Sequence, residues 1–230
     1  MSVVARLPSS FNRPDERDAE AYEALVRQAV EEGGSLAALY PPRSRADEIL
    51  DRLDIAAGDE VLDIGAGTGG LEIALLERGV AFEKLYAVDI DASALDLLDT
   101  VLEISRLEGA DRVETLVSQP DDIRLPAGSV DVAIALNAPP IFLSQRGPGD
   151  GVERTQACLR TIHAALRDGG RLHVINRDGD LPPGEDGDIC GRIEAVYSPL
   201  GFRVEERETF KVPPGNKVTP THCWVRFIKE

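Results

Sequence analysis

The pattern of apolar and polar positions changes character near residue 60 of this chain. Before that point it is mostly polar and irregular, with a single helical period over Ala19–Glu32 that ends at Gly33 and Gly34. Beyond it, short apolar runs alternate with amphipathic stretches of helical period. Such alternation predicts βαβ units and a largely parallel sheet that is covered on both faces.

Five short apolar runs and two longer stretches that close the chain predict the strands of this sheet. They span Glu60–Ile64, Lys84–Ile90, Val113–Ser118, Val130–Leu136, Arg171–Asn176, Phe202–Phe210 and His222–Ile228. Helices are predicted near Leu71–Glu77, Ser93–Arg106, Glu153–Leu166 and Ile189–Tyr197. The connection Lys211–Thr221 has no helical pattern, so we expect the last two strands to pair antiparallel. The predicted fold class is therefore α/β, an open sheet whose ligands bind beyond the carboxyl ends of the strands.

A length of 230 residues suits one domain overall. Within it, Pro41 and Pro42 interrupt the N-terminal segment. After them, Ser44 is a predicted cap for a short helix that carries Ile49 and Leu50 on one face.

The net charge indicates which classes of binding partner to exclude, and the cysteines indicate the redox environment. The chain has 41 Asp and Glu against 25 Lys and Arg, a formal net charge of −16. Such a surface repels phosphate backbones and anionic lipids, so we expect neither a nucleic-acid nor a membrane partner. Three widely spaced cysteines (Cys158, Cys190 and Cys223) predict reduced thiols in a cytoplasmic protein, with no disulfide and no metal site. The start of the chain does not have the form of a signal peptide.

The most informative segment is a glycine-rich turn between a predicted strand and a predicted helix. Glycines at positions 65, 67 and 70 satisfy the dinucleotide pattern G-x-G-x-x-G. Asp89 follows at the end of the next strand, where a carboxylate can accept hydrogen bonds from ribose hydroxyls. An NAD-dependent dehydrogenase is therefore an alternative. Asp63 argues against it, because a carboxylate beside the turn repels a diphosphate and suits a ligand with an ammonium or sulfonium group.

Four motifs in order resemble those of class I S-adenosylmethionine-dependent methyltransferases. They are Asp63–Gly69, Ala87–Asp91, Leu125–Asp131 and Leu166–Leu172. The resemblance covers roughly residues 43–177. It implies S-adenosylmethionine as cofactor and a Rossmann-like sheet of order 3-2-1-4-5-7-6 with helices on both faces. It also implies a helical lid formed by residues 1–42 over an α/β domain of residues 43–230.

The family's cofactor-binding roles transfer by position to Asp63, Gly65, Ala66, Gly67, Asp89, Ile90, Asp121, Asp122 and Asn137. Asp63 would orient the amino group, and Gly65 and Gly67 would let the backbone approach the methionine part. Asp89 would hold the ribose hydroxyls, with Ile90 against the adenine. Asp121 or Asp122 would accept from the adenine amino group, with Gln119 as a further candidate. Both aspartates can instead simply cap the following turn.

The site of methyl transfer is less defined. The stretch Asn137–Phe142 resembles the N-P-P-[FY] loop of amino methyltransferases, but Ala138 stands between Asn137 and the two prolines. A rigid turn is the alternative. The predicted catalytic residues are His222, Asn137 and Tyr40. His222 is the first choice for a base because its loop opens toward the ligand end of the sheet.

The remaining polar candidates have less specific roles. His163 is expected to be a surface or packing residue, and His173 to make a core hydrogen bond. Tyr40 would lie against the cofactor or fill the core. The polar loop Ser144–Gly149, including Arg146, is expected to shape the acceptor pocket.

The resulting hypothesis is a cytoplasmic methyltransferase that transfers a methyl group to a small-molecule N or O acceptor by in-line displacement. Three alternatives stay open at this point. They are a cofactor-binding protein with non-methylating chemistry, a methyltransferase of protein side chains and, more remotely, the NAD-dependent dehydrogenase. The oligomeric state is also open, a homodimer included.

Overall fold

The computed structural model describes residues 16–40, 47–119, 121–137, 150–177, 188–211 and 221–230. The helices are α1 (Glu16–Glu31), α2 (Asp47–Leu50), α3 (Gly70–Glu77), α4 (Ala92–Ser105), α5 (Asp150–Ala165) and α6 (Ile189–Tyr197). The strands are β1 (Glu60–Ile64), β2 (Lys84–Asp89), β3 (Val113–Val117), β4 (Val130–Leu136), β5 (Leu166–Arg177), β6 (Phe202–Lys211) and β7 (Thr221–Lys229). Short 3₁₀ turns lie at Ala37–Leu39, Ala110–Arg112 and Ser198–Leu200.

The seven strands form one sheet of order β3-β2-β1-β4-β5-β7-β6. The first five strands are parallel, and β7 runs antiparallel to both β5 and β6. The predicted α/β class, the strand order and the antiparallel last pair are confirmed. The order reverses between β1 and β4, which is where open α/β sheets bind their ligands.

Two apolar cores lie on opposite faces of the sheet. One is built with α1 to α4 and includes Tyr22, Val26, Ile73 and Leu98. The other is built with α5 and α6 and includes Leu159, Ile162, Ile193 and Tyr197. Val61 of β1 belongs to the first core and Leu62 to the second, because successive side chains of a strand point to opposite faces. Burial on both faces explains why the central strands β1 and β4 are mostly apolar without alternation.

The largest difference from the predicted boundaries is at β5, which begins at Leu166 instead of Arg171. The Asp168-Gly169-Gly170 stretch has the composition of a turn. The structure instead carries the strand through it, with Leu166 paired to Val130 and a shift of register before Val132.

A disulfide joins Cys190, in the first turn of α6, to Cys223, near the start of β7. The prediction of three reduced thiols is therefore wrong for this pair. The two residues are 33 positions apart, and the spacing gave no sign of pairing. The antiparallel course of β7 brings its first residues to the edge where α6 begins, with 5.6 Å between the Cα atoms. Cys158 is a buried free thiol, as expected for a core residue.

The N-terminal segment packs on the face of the sheet that carries α3 and α4. Helix α1 lies against α4, and the 3₁₀ turn Ala37–Leu39 lies against α3. The carboxylate of Glu77 accepts hydrogen bonds from the Ser35 hydroxyl and from the backbone N–H groups of Leu36 and Ala37. The predicted cap Ser44 lies outside the described residues. Within the described ranges, no helix is long and apolar enough to cross a membrane.

Candidate functional site

The glycine-rich turn between β1 and α3 is held against the end of β2. The backbone N–H groups of Gly65 and Ala66 donate to the Val88 carbonyl at 2.7 and 3.1 Å. Gly67 has φ +56°, and a Cβ there would meet no atom within 4 Å. The left-handed φ therefore favours glycine at position 67, and the space beside its Cα is open for the close approach of a ligand. At Gly69, by contrast, a Cβ would lie 2.2 Å from the Leu98 side chain.

Asp89 fixes the open part of this turn. One carboxylate oxygen accepts from the Gly67 N–H at 2.8 Å, and the other accepts from the Asp91 N–H at 2.9 Å. Each carboxylate oxygen has a further acceptor position that these two bonds leave unused. Asp89 is half-buried at the carboxyl end of β2, so a ligand with neighbouring hydroxyl groups can reach those positions.

Asp63 lies under the same turn and is only 3 % exposed. Burial raises the pKa of its carboxyl to about 7, and the Asp89 carboxylate raises it as well. A cationic ligand would stabilise the ionised form of this buried carboxyl group, because a neighbouring positive charge lowers the cost of ionisation. The structure therefore places Asp63, Gly67 and Asp89 together, as the sequence predicts.

Glu72, on α3, is a polar residue of this region that the sequence reasoning missed. It is 0 % exposed. Burial is the main reason why the pKa of Glu72 lies well above the usual range, and the neighbouring Asp63 carboxyl raises this pKa further. Neither of its carboxyl oxygens has a partner at hydrogen-bonding geometry among the described residues. The available signal was an acid in the middle of Gly70–Glu77, a helix whose other interior residues are all apolar.

Tyr40 ties the N-terminal segment to the glycine-rich turn. Its hydroxyl donates to the Thr68 carbonyl at 2.7 Å and accepts from the hydroxyl of Tyr22. Burial raises the pKa of Tyr22 to about 12 and the pKa of Tyr40 well above 10. Both rings are buried in the core, so the expected core position of Tyr40 is present together with a contact to the turn. These hydrogen bonds suit a residue that tethers the N-terminal segment to the glycine-rich turn. The predicted catalytic role of Tyr40 stays a prediction.

An apolar surface borders the turn. Ile90, directly after β2, is 50 % exposed, and Val117, at the end of β3, is 44 % exposed. Exposed large apolar side chains at the ends of two adjacent strands suit the face of a planar ring. The placement agrees with the predicted contact of Ile90 with adenine.

The two aspartates after β3 are both exposed. Asp122 accepts from the Arg124 N–H at 2.9 Å, and its backbone pairs with that of Gln119. Asp122 therefore makes the turn contact that the sequence offers as an alternative role. The carboxylate of Asp121 makes no such turn contact within the described part of the chain, which leaves it the better candidate for a ligand.

Asn137 begins the segment that follows β4. Its N–H donates to the Ile175 carbonyl at 2.9 Å, and its φ of +52° is left-handed. Its side-chain oxygen is buried without a partner among the described residues. The predicted Asn-Ala-Pro-Pro loop beyond it and the polar loop Ser144–Gly149 lie outside the described residues.

The three histidines have different surroundings. His222 lies near the start of β7 and pairs with Arg177 at the carboxyl end of β5. It is only 1 % exposed and stacks on Phe210 with 5.6 Å between ring centroids. Its role as a base stays a prediction. His163 packs edge-on against the Phe202 ring, as expected for a packing residue.

His173 is buried and accepts a hydrogen bond from the Trp224 indole N–H at 3.2 Å. This confirms the predicted core hydrogen bond. Burial lowers the pKa of His173 to about 3, so its imidazole is neutral at physiological pH. Across the described ranges, no cluster of three or more His, Cys, Asp or Glu residues is placed to hold a metal ion.

Comparison with known proteins gives one family. Residues 62–172 match the methyltransferase domain family. The chain is 31% identical over 192 residues to an uncharacterized methyltransferase of Mycobacterium tuberculosis, a match that covers 82% of this chain and 65% of that relative. The chain thus spans a little less than two thirds of this relative's length.

Shorter stretches of this chain are similar to enzymes whose names specify macromolecular acceptors. One is a ribosomal RNA small subunit methyltransferase A of Cutibacterium acnes, 33% identical over 93 residues, 40% of this chain and 30% of the relative. Another is a release factor glutamine methyltransferase of Rhodopirellula baltica, 32% identical over 146 residues, 56% of this chain and 48% of the relative.

Solved structures share the fold at low sequence identity. A TehB-like SAM-dependent methyltransferase from Corynebacterium glutamicum superposes with a TM-score of 0.57 at 17% identity, covering 94% of this chain and 100% of that chain. The antiparallel β7 between β5 and β6 also separates this sheet from the order 3-2-1-4-5-6 of classical dinucleotide-binding folds. The dehydrogenase alternative is therefore not supported.

Proposed function

We propose that this chain is a class I S-adenosylmethionine-dependent methyltransferase and that it transfers a methyl group from that cofactor to a small-molecule N or O acceptor. The match of residues 62–172 to the methyltransferase domain family and the similarity to the mycobacterial methyltransferase support this proposal. One observation carries the proposal furthest. The Asp89 carboxylate is fixed on the Gly67 N–H at 2.8 Å, and the buried Asp63 lies under the same turn. An anchored acceptor for hydroxyl groups beside a second buried acid suits a cationic nucleoside and disfavours a diphosphate.

Each part of the cofactor has a matching group on the chain. Asp63 receives the α-ammonium group, and the backbone of Gly65, Ala66 and Gly67 passes close to the methionine part. Asp89 accepts from the ribose hydroxyls. Ile90 packs on the adenine, and its amino group is held by Asp121 in preference to Asp122, whose carboxylate already serves the turn at Arg124.

The bound cofactor supplies an electrophilic methyl carbon on a sulfonium, and transfer forms the bond to the acceptor N or O as the carbon–sulfur bond breaks. Catalysis by the protein is then mainly proximity and orientation. The N-terminal segment acts as the lid, held on the turn through Tyr40. Asn137 offers the acceptor its side-chain oxygen, for which the described residues provide no partner, and His222 takes the proton of an acceptor that is not already deprotonated.

The acidic surface supports an acceptor other than nucleic acid. A net charge of −16 opposes the approach of a phosphate backbone, and the match to the ribosomal RNA enzyme covers 40% of this chain. A cytoplasmic location is part of the proposal. It loses the support of reduced cysteines, because Cys190 and Cys223 form a disulfide.

A protein side chain is the second candidate acceptor. The similarity to a release factor glutamine methyltransferase favours it, and an acidic surface attracts basic protein partners. The same catalytic scheme applies, with a side-chain amide or amine in the place of the small molecule.

The direct test is transfer of a labelled methyl group from S-adenosylmethionine to a panel of acceptors. The panel holds small amines and phenols, glutamine- and lysine-containing peptides, and an RNA stem. We expect label and S-adenosylhomocysteine to form with a small amine or phenol and not with the RNA. Transfer to a peptide alone would establish the second candidate, and transfer to the RNA alone would contradict the proposal.

A further inference from the structure

A second carboxyl group lies beside Asp63, beneath the glycine-rich turn. Glu72 is 0 % exposed on a helix whose neighbouring residues Leu71, Ile73 and Ala74 are all in the apolar core. Neither of its oxygens has a partner at hydrogen-bonding geometry among the described residues, yet its carboxyl is near enough to Asp63 to interact with it. A fully buried carboxyl group with so little polar contact is costly, so its place next to the proposed ammonium site indicates a function.

The charged and titratable groups that face this pair come from two further elements. Asp89, at the end of β2, acts on both carboxyl groups, and Tyr40, of the N-terminal segment, interacts with Glu72. All of them are acidic or neutral. Among the described residues, no basic side chain contributes to the pKa of either member of the pair.

Two adjacent carboxyl groups in a buried site do not ionise together, so the pair retains a proton near neutral pH. Burial and then the neighbouring Asp63 carboxyl raise the pKa of Glu72, whereas the interaction with Glu72 lowers the pKa of Asp63, so Glu72 is the member that keeps the proton. A protonated carboxyl has an O–H to donate, and donation to Asp63 favours the charged form of Asp63.

We propose that Glu72 is a positioning residue for the cofactor's α-ammonium group and acts through Asp63. Its neutral carboxyl donates toward Asp63 and holds that residue as the carboxylate that receives the ammonium. The inference rests on the proposed cofactor site and adds a residue to it. A glutamine at position 72 would preserve a neutral donor of the same size, whereas methionine would fill the volume and donate nothing.

The test compares two ligands that differ in the amino-acid part. S-adenosylhomocysteine carries the ammonium group, and 5′-methylthioadenosine shares the adenosine and thioether but lacks it. Affinities of both are measured by calorimetry between pH 6 and 8.5 for the wild type, Glu72→Gln, Glu72→Ala and Glu72→Met. Glu103→Gln, on the exposed face of α4, is the control, and thermal melting confirms that each variant folds. If the cavity left by alanine prevents folding, Glu72→Met replaces Glu72→Ala as the variant that lacks a donor.

We expect Glu72→Gln to bind S-adenosylhomocysteine within about threefold of the wild type. Glu72→Ala and Glu72→Met should lose about tenfold or more for this ligand at pH 7, the cost of a lost bond to a charged group. They should bind 5′-methylthioadenosine almost unchanged. In the wild type the affinity for S-adenosylhomocysteine rises with pH through about 7, and in the methionine variant the rise moves to higher pH.

Two results overturn the inference alone. Equal losses for both ligands in Glu72→Met would show a packing role, and a loss in Glu72→Gln as large as in Glu72→Met would show that a neutral donor is not what the site needs. Failure of the wild type to bind either ligand would contradict the cofactor site itself and the inference with it.

Discussion

The carboxylate of Asp89 accepts the backbone N–H of Gly67 at 2.8 Å, so the end of β2 holds the glycine-rich turn at its most open point. The same carboxylate bonds the Asp91 N–H, at the start of α4. One side chain thereby fixes two backbone segments around the place where ribose hydroxyls are expected.

Asp89→Ala should therefore weaken binding of S-adenosylhomocysteine at least about tenfold. Loss of hydrogen bonds to a charged acceptor costs about 1.5–3 kcal/mol, and the turn also loses its tether. Calorimetric titration measures the change. Asp96→Ala, which removes an exposed carboxylate from α4, is the matched control and should bind like the wild type. Unchanged affinity in Asp89→Ala would refute the assignment to ribose.

Tyr40→Phe should lower the free energy of unfolding by about 1 kcal/mol. The substitution removes the Tyr40 hydroxyl that donates to the half-buried Thr68 carbonyl and accepts from the Tyr22 hydroxyl. Tyr197→Phe is the matched control, since its buried hydroxyl has no hydrogen-bond partner among the described residues. Its stability should stay within about 0.5 kcal/mol or rise. Denaturant unfolding of both variants measures the difference, and equal losses would contradict the tether.

The stability of the unliganded protein should fall as the pH rises from about 4 to 7. The pKa of Asp63 is about 7 in the folded protein against an ordinary 3.8, so the folded state binds its proton more tightly than the unfolded state. Stability is then lost as the pH rises through this window, by about 1.4 kcal/mol per pH unit for each such proton.

Asp63→Asn tests this dependence because the amide does not titrate. Melting temperatures between pH 5 and 8 should fall less steeply in this variant than in the wild type, and the variant should be the more stable protein at pH 8. Asp96→Asn, an exposed change, should keep the wild-type slope. Parallel slopes for Asp63→Asn and the wild type would show that Asp63 is not the titrating group.

The protein unfolded without reductant should present one titratable thiol, that of Cys158, and three after reduction. Replacement of both Cys190 and Cys223 by serine should lower the free energy of unfolding by about 2–4 kcal/mol, because the bridge restricts the unfolded chain. Thiol titration in guanidinium chloride measures the count. Three thiols before reduction would contradict the bridge.

Local pattern predicts most of the fold. Runs such as Glu60–Ile64 and Val130–Leu136 are mostly apolar because both faces of the strand are covered, and their bounds agree with the structure. The positions of Asp63 and Asp89 follow from the same strands, since both lie at carboxyl ends. These predictions need only the strand ends and the rule for open α/β sheets.

The features that sequence reasoning missed depend on packing between distant elements. Glu72 comes close enough to interact with Asp63 only because α3 folds back over β1, and Cys190 meets Cys223 only because β7 runs antiparallel. Tyr40 was predicted as a candidate, but its bond to Thr68 requires the docking of the N-terminal segment on Glu77. None of these contacts has a periodic signature in the chain.

The central claim is a site for a cationic nucleoside, and one calorimetric experiment tests it most directly. The wild type and Asp63→Asn are titrated in parallel with S-adenosylmethionine, S-adenosylhomocysteine and NAD. We expect the wild type to bind S-adenosylmethionine and S-adenosylhomocysteine but not NAD. Asp63→Asn should bind S-adenosylmethionine and S-adenosylhomocysteine at least about tenfold more weakly. Binding of NAD alone, or unchanged affinity in Asp63→Asn, would contradict the central claim.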